Sequence, residues 1–249
     1  MKNLRLIMLL LSVLFSQAAM AYGSNEERID RFIELLNSGD YAAQEEMLNR
    51  LQWSGLSDPA LFDVVQGHLL THYQDDSAAP DLTSLLSYQV RALGFSGNER
   101  YRQTITEVSQ NAVSSKLRKY ARKALSDLSK FSQWLSLLPP AVTPAEGQSI
   151  ESATYLAMLN VENTFVQRLA ARAIFHERIG DPVLLEKAEA IIRSHYMNPD
   201  LDAETQDTIA WLCKDLGQNA QKEYLSLLVE VAEKTPSRKI AKYAGKYTD

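Results

Sequence analysis

The 249-residue sequence contains a single cysteine, Cys213. One thiol excludes an internal disulfide framework, so stability has to come from packing. Cys213 occupies an apolar helix position and reads as a small buried hydrophobe rather than a reactive group. Long apolar runs are also scarce. The longest, Leu6 to Phe15, is about half the ~20 residues that span a bilayer, so no membrane-spanning helix is expected. No stretch alternates polar and apolar residues long enough to signal a sheet. A basic surplus is missing too: 26 Lys and Arg face 31 Asp and Glu, a formal charge of −5, which argues against nucleic acid as partner. There is no Gly-x-Ser-x-Gly, no phosphate-binding P-loop and no dinucleotide fingerprint. The expectation is a non-enzyme without a cofactor.

What is present begins with a leader. Lys2 and Arg5 precede the apolar run, and Ala19-Met20-Ala21 has the small-x-small pattern of a cleavage site. Residues 1–21 therefore read as a signal peptide, with the mature chain starting at Tyr22 and exported, in the expected case, to a periplasm. Loss of Lys2 and Arg5 takes the formal charge from −5 to −7.

The rest is organised by an echo. Ser114-Ser-Lys-Leu-Arg-Lys-Tyr-Ala-Arg-Lys-Ala-Leu125 returns as Ser237-Arg-Lys-Ile-Ala-Lys-Tyr-Ala-Gly-Lys-Tyr-Thr248, an offset of 123. At that offset residues 24–126 align with 147–249 without a gap and share nineteen identities. Ordinary residue usage gives roughly six. The matches include Asp58-Pro59 with Asp181-Pro182, His72-Tyr73 with His195-Tyr196, Leu93-Gly94 with Leu216-Gly217, and Tyr101 with Tyr224. A duplicated helical array is expected, with about six helices in each copy.

Helical spacing and punctuation place those helices. Ile29, Phe32, Ile33 and Leu36 form the first apolar line, closed by Asn37-Ser38-Gly39; Asp40 caps the second. Asp58 caps the third, with Pro59 at the first helical position, where its missing N–H costs nothing. Leu61, Val64, Val65, Leu69 and His72 are expected on its buried face. Asp81 is expected to open the fourth and Gly94 to end it in a left-handed conformation. Ser96-x-x-Glu99 reads as a capping box for the fifth, and Ser114 caps the sixth. In the second copy, Gly217 ends the fourth helix, Asn219 replaces Ser96 and Ser237 repeats Ser114. Residues 22–130 and 149–249 are then two halves. Between them lies a Trp- and Pro-containing connector, 131–148, whose Phe131, Trp134, Leu135, Leu137 and Leu138 are too apolar for a free linker.

Leu117-Arg118-x-x-Ala121-x-x-Ala124-Leu125 resembles the second-helix signature of HEAT repeats, roughly Val-Arg-x-x-Ala-x-x-Ala-Leu. Val166-x-x-x-Ala170-x-x-Ala173-Ile174 is similar without the Arg, and weaker matches fall at Met47, Val90 and Ala244. The resemblance implies a right-handed α-solenoid of antiparallel helix pairs whose second helices line a concave surface. It implies a scaffold that holds another protein, and names no catalytic group.

Two sets of side chains stand out. Lys116, Lys119 and Lys123 lie at i, i+3 and i+7 and recur as Lys239, Lys242 and Lys246, a rail off the apolar stripe that suits an acidic protein, glycan or lipid head group. The competing reading is a solvated face. His68 and His72 have the i, i+4 spacing of a zinc pair, but Ile191 stands where the second copy would need a His, and no third ligand is evident. Asp75-Asp76 reads as a solvated loop pair.

Overall fold

The structure, a computed structural model, describes residues 24–75 and 79–248. The expected leader, its cleavage site before Tyr22, and Asp76 lie outside the described residues. Among the described residues all regular structure is helical. The first set is α1 (Asn25–Leu36), α2 (Tyr41–Arg50), α3 (Pro59–His72), α4 (Pro80–Phe95), α5 (Arg102–Asn111) and α6 (Ser115–Leu135). The second is α7 (Ile150–Asn160), α8 (Thr164–Glu177), α9 (Pro182–His195), α10 (Ala203–Lys234) and α11 (Arg238–Ala244).

Side-chain chemistry starts most of these helices. Ser24, Asp40, Asp58 and Ser114 accept the backbone N–H of Glu27, Ala43, Ala60 and Leu117. Asp181 and Ser237 do the same for Val183 and Ile240. Each such cap contributes about 1 kcal/mol to a helix that would otherwise fray. Pro59 and Pro182 both sit at first helical positions, and α3 and α9 span 59–72 and 182–195, the same range shifted by 123.

Several local expectations are corrected. The fourth helix opens on Pro80 with Ala79 as an N-cap that makes no side-chain bond; Asp81 lies in the first turn instead. Gly94 is helical, and the left-handed residue is Gly97 at φ +60°. Gly94 is there for space: a Cβ on it would stand 2.8 Å from the Ala124 carbonyl oxygen, so α4 and α6 meet backbone to backbone. Ser96 does not cap the fifth helix. It follows α4 and its hydroxyl donates to Leu93 O, while Asn98 caps a 3₁₀ turn at 99–101 that leads into α5. Asn219 donates to Asp215 O rather than capping, because α10 runs on through a kink at Ala220 (φ −150°, ψ 46°). Gly217 likewise lies inside α10, beneath the Tyr247 ring. His72 is exposed, not on the buried face of α3.

Packing follows the order of the chain. In the first set α1 contacts α2 and α3, α4 contacts α2, α3 and α6, and α5 lies on α6. In the second, α7 contacts α8 and α9, while α10 contacts α8, α9 and α11. Each set surrounds its own core. One contains Leu61, Phe62, Leu93, Tyr101, Ile105 and Leu117, the other Tyr155, Ile174, Ile192, Leu212, Cys213 and Leu228. Each such aliphatic side chain contributes roughly 1.5–3 kcal/mol by leaving water.

The second core also takes in Trp53, Phe95 and Phe131, side chains that belong to the first set of helices. Helix α6 runs past residue 130 without a break, and Trp134 stacks on Phe165 of α8 with ring centroids 3.5 Å apart. The far end of α8 meets the end of α2, where Arg50 Nε lies 3.5 Å from Glu177 Oε1 and Trp53 Nε1 donates to the same oxygen. Beneath them Arg28 is buried. It donates to Ser54 O and Tyr155 Oη and pairs with Glu151 at 3.5 Å, while Tyr155 donates to Glu177. A largely apolar crevice, lined by Leu51, Leu56, Trp134, Leu138, Met158 and Leu169 among others, lies at the same junction.

Candidate functional site

The sequence's three tryptophans, Trp53, Trp134 and Trp211, all lie along one strip of aromatic rings and cations that crosses this junction. Helical spacing builds it. On α4, Tyr88, Arg91 and Phe95 share a face, and the Arg91 guanidinium lies over their rings at 5.5 and 5.4 Å and over Tyr120 of α6 at 5.9 Å. On α8, Phe165, Arg168, Arg172 and His176 share a face. Arg168 covers Phe165 at 4.7 Å. Arg172 lies between two indoles, 5.3 Å from the Trp53 ring and 5.7 Å from that of Trp211. His176 stacks on Trp53 at 5.2 Å and 11° and touches Trp211 at 5.6 Å. On α10, Lys214 Nζ lies 3.2 Å from the centre of Trp211, 3.8 Å from that of Phe175 and 5.9 Å from that of Tyr243. Lys246 closes the strip over Tyr243 at 5.0 Å.

The two ends of the strip correspond. Tyr88, Arg91 and Tyr120 become Trp211, Lys214 and Tyr243 at the 123-residue offset, and in both triads the cation lies over the two rings. Each such contact is worth about 0.5–1 kcal/mol in the open and about 2 where water is excluded.

The charges along the strip oppose one another. Burial, then the charge of Arg168, holds Arg172 below the usual guanidinium value, and Arg91 adds to this. Burial also lowers Lys214, with Lys246 and Arg172 contributing and Asp215 and Asp207 opposing. His176 is held below its ordinary value by partial burial first, then by Arg172 and Lys214. Two of the nearby carboxylates, Asp207 and Glu177, are already engaged. Asp207 is shared between Lys239 at 2.5 Å and Arg168 at 3.6 Å, and Glu177 serves Trp53, Tyr155 and Arg50. Arg172 Nε is buried with no hydrogen-bond partner among the described residues.

The lysine rail is placed more loosely. Lys116, Lys119, Lys123, Lys242 and Lys246 are exposed and Lys239 is half-buried. Lys123 pairs with Asp127 and Lys239 with Asp207. Lys239 and Lys246 therefore join the strip, whereas Lys123 is tied to its own helix. His68 is half-buried and His72 exposed on α3, and no group of three or more His, Cys, Asp or Glu fit to hold a metal occurs among the described residues. The repeated tyrosines are anchors: Tyr73 donates to Glu107 at 2.5 Å and Tyr196 to Glu230 at 2.9 Å.

Sequence reasoning did not reach Arg91, Arg168, Arg172, His176 or Lys214. Two signals were available: the cation–aromatic face Phe165-x-x-Arg168-x-x-x-Arg172-x-x-x-His176, and the exchange of Tyr for Trp and Arg for Lys at the 123-residue offset. An identity count passes over the second, because neither exchange is an identity.

Two groups in the second core are set apart. Cys213 is fully buried, and burial raises its thiol to about 12. Asp215 is fully buried, its two carboxyl oxygens have no partner among the described residues, and burial raises its pKa well above the usual carboxylate value. The position 123 residues earlier is Ala92, also fully buried.

Comparison with known proteins found no matching family model, no matching curated protein and no matching solved structure.

Proposed function

We propose that the chain is an exported, non-enzymatic binding module, a duplicated HEAT-like α-solenoid that holds an acidic segment of another protein in the cell envelope. The observation that carries this reading is the pair of cation–aromatic triads, Tyr88–Arg91–Tyr120 and Trp211–Lys214–Tyr243, joined through Arg168 and Arg172. Clustered cations over ring faces suit a ligand that offers carboxylates between apolar groups, since each cation keeps its ring contact while it gains a counter-charge. That such a strip occurs on a chain of formal charge −5 favours a localised acidic ligand over a general polyanion.

The duplication is supported by contacts that recur at the 123-residue offset. Gln44 donates to Leu36 O and Gln167 to Leu159 O. Gly55 and Arg178, also 123 apart, both have positive φ, +72° and +55°. The solenoid reading draws on the contacts of α2 with α4 and of α4 with α6, and of α8 with α10. Export rests on the leader pattern of residues 1–21.

Because all three tryptophans border the strip, intrinsic fluorescence reports its occupancy. Titration with a peptide alternating Glu and Leu should give a saturable change that weakens with salt, as the screening length falls from ~10 Å at 0.1 M to ~3 Å at 1 M. Arg91→Gln combined with Lys214→Gln should abolish it. An equal response to a Lys-Leu peptide, or none to the acidic one, would refute the reading.

A further inference from the structure

We propose that Arg172, His176 and Lys214 form an oxyanion subsite in the middle of this strip, and that an anion bound there brings a proton onto His176. Cationic and aromatic groups converge there. Three nitrogen-bearing side chains gather round one indole: Arg172 lies 5.7 Å from the centre of Trp211, His176 5.6 Å and Lys214 Nζ 3.2 Å. Trp53 closes the other side of Arg172 and His176. The Arg172 Nε hydrogen points at no acceptor among the described residues, although the atom is buried. Leaving a buried donor without an acceptor is costly, and an oxyanion on the guanidinium removes that cost.

The proton follows from the charges around His176. It faces Arg172 and Glu177 on its own helix, Lys214 on α10 and Arg50 at the end of α2. Glu177 favours the charged imidazole, but it is held by Trp53, Tyr155 and Arg50. Burial and the three cations disfavour it, so the ring is neutral near pH 7 in the free protein. An anion between Arg172 and Lys214 reverses the balance, since it adds an opposite charge beside the ring. Binding therefore takes up a proton and tightens as pH falls from about 7.5 to about 5.5, the range in which histidine titrates.

The carrier of the anion rests on the acidic-segment reading above; the subsite itself does not. The sequence has four histidines, so each can be followed by NMR, with His176→Asn assigning its resonance. Two probes are used, sulfate, which does not titrate in this range, and a tetra-Glu peptide. The free protein should show His176 titrating below the ordinary imidazole value. Saturating sulfate should raise its midpoint by about one pH unit, and Arg172→Gln or Lys214→Gln should each remove most of that change. A His176 midpoint indifferent to both probes, or one that moves as far in both variants as in the natural protein, overturns the subsite. A response to sulfate but not to the peptide upholds the subsite and refutes the acidic-segment reading. Peptide binding that depends on Arg91 while His176 stays unmoved does the reverse. If Arg172→Gln loses its helical circular dichroism, Lys214→Gln alone carries the test.

Discussion

Arg28 and Glu151 stand 123 residues apart in the chain, at corresponding positions of the two aligned segments, and meet as a buried ion pair at 3.5 Å. Trp53 and His176 are also 123 apart and also touch, stacked at 5.2 Å. The two sets of helices thus present corresponding places to each other at the junction, and the ring strip crosses above it. Arg28 is the more deeply placed of the charges, 2% exposed, with Ser54 O, Tyr155 Oη and Glu151 around it.

Removing one partner of that pair should be severe. Arg28→Ala or Glu151→Ala leaves an uncompensated buried charge and is expected to cost about 3–5 kcal/mol in urea unfolding. The double variant Arg28→Met with Glu151→Leu should cost much less than the sum. Additive losses would show that the two side chains act independently.

Gly94 and Gly217 should respond differently to a methyl group. At Gly94 the obstacle is backbone, the Ala124 O at 2.8 Å and Cα at 3.0 Å, so Gly94→Ala should destabilise by about 1–3 kcal/mol and Ala124→Gly should not restore it. At Gly217 the obstacle is the Tyr247 ring, 2.2 Å away at its nearest atom. Tyr247→Ala should therefore relieve most of the loss in Gly217→Ala. Thermal midpoints of the four single variants and two pairs decide this.

Asp215 gives a pH-dependent prediction. Its folded pKa is raised, so its burial is tolerated best below the unfolded value of about 4, and stability is lost as pH rises toward the folded value. Asp215→Asn cannot ionise. Its urea midpoint relative to the natural protein should therefore improve as pH rises above about 4. A difference that does not change with pH would mean that the carboxyl finds a partner or solvent.

Cys213 should be inert in the folded protein. Burial and the nearby Asp215 raise its thiol to about 12, and no part of the side chain is open to reagent. A bulky disulfide reagent should label it at the rate of unfolding and no faster. Rapid labelling of the native protein would contradict the packing around α10.

The rail and the strip can be separated. Lys116, Lys119 and Lys123 changed together to Gln should leave the melting temperature nearly unchanged, since exposed pairs such as Lys123–Asp127 contribute only ~0–1 kcal/mol. They should weaken binding of an acidic peptide less than Arg91→Gln with Lys214→Gln. A larger loss from the rail variant would move the binding face to the outer side of α6.

What the sequence determined by itself is the local structure and its recurrence. Helix starts are chemical events within three or four residues, so Asp40, Asp58, Ser114, Asp181 and Ser237 were legible as caps before any packing was known, whereas Ser24 was not read as one. The echo at 123 was equally plain, because identical residues require no geometry to be noticed. Breaks were harder. Gly94 carries the same composition signal as a terminating glycine, and only the approach of Ala124 shows that it stands inside a helix to admit a neighbour. Tertiary structure alone decided the site. Arg172, Trp53 and Lys214 come from three helices or their ends, and their meeting depends on where α8 crosses the end of α2. No spacing in the chain encodes that crossing. It is set by the side chains of two cores packing together, a sum of many small contacts between residues far apart in sequence.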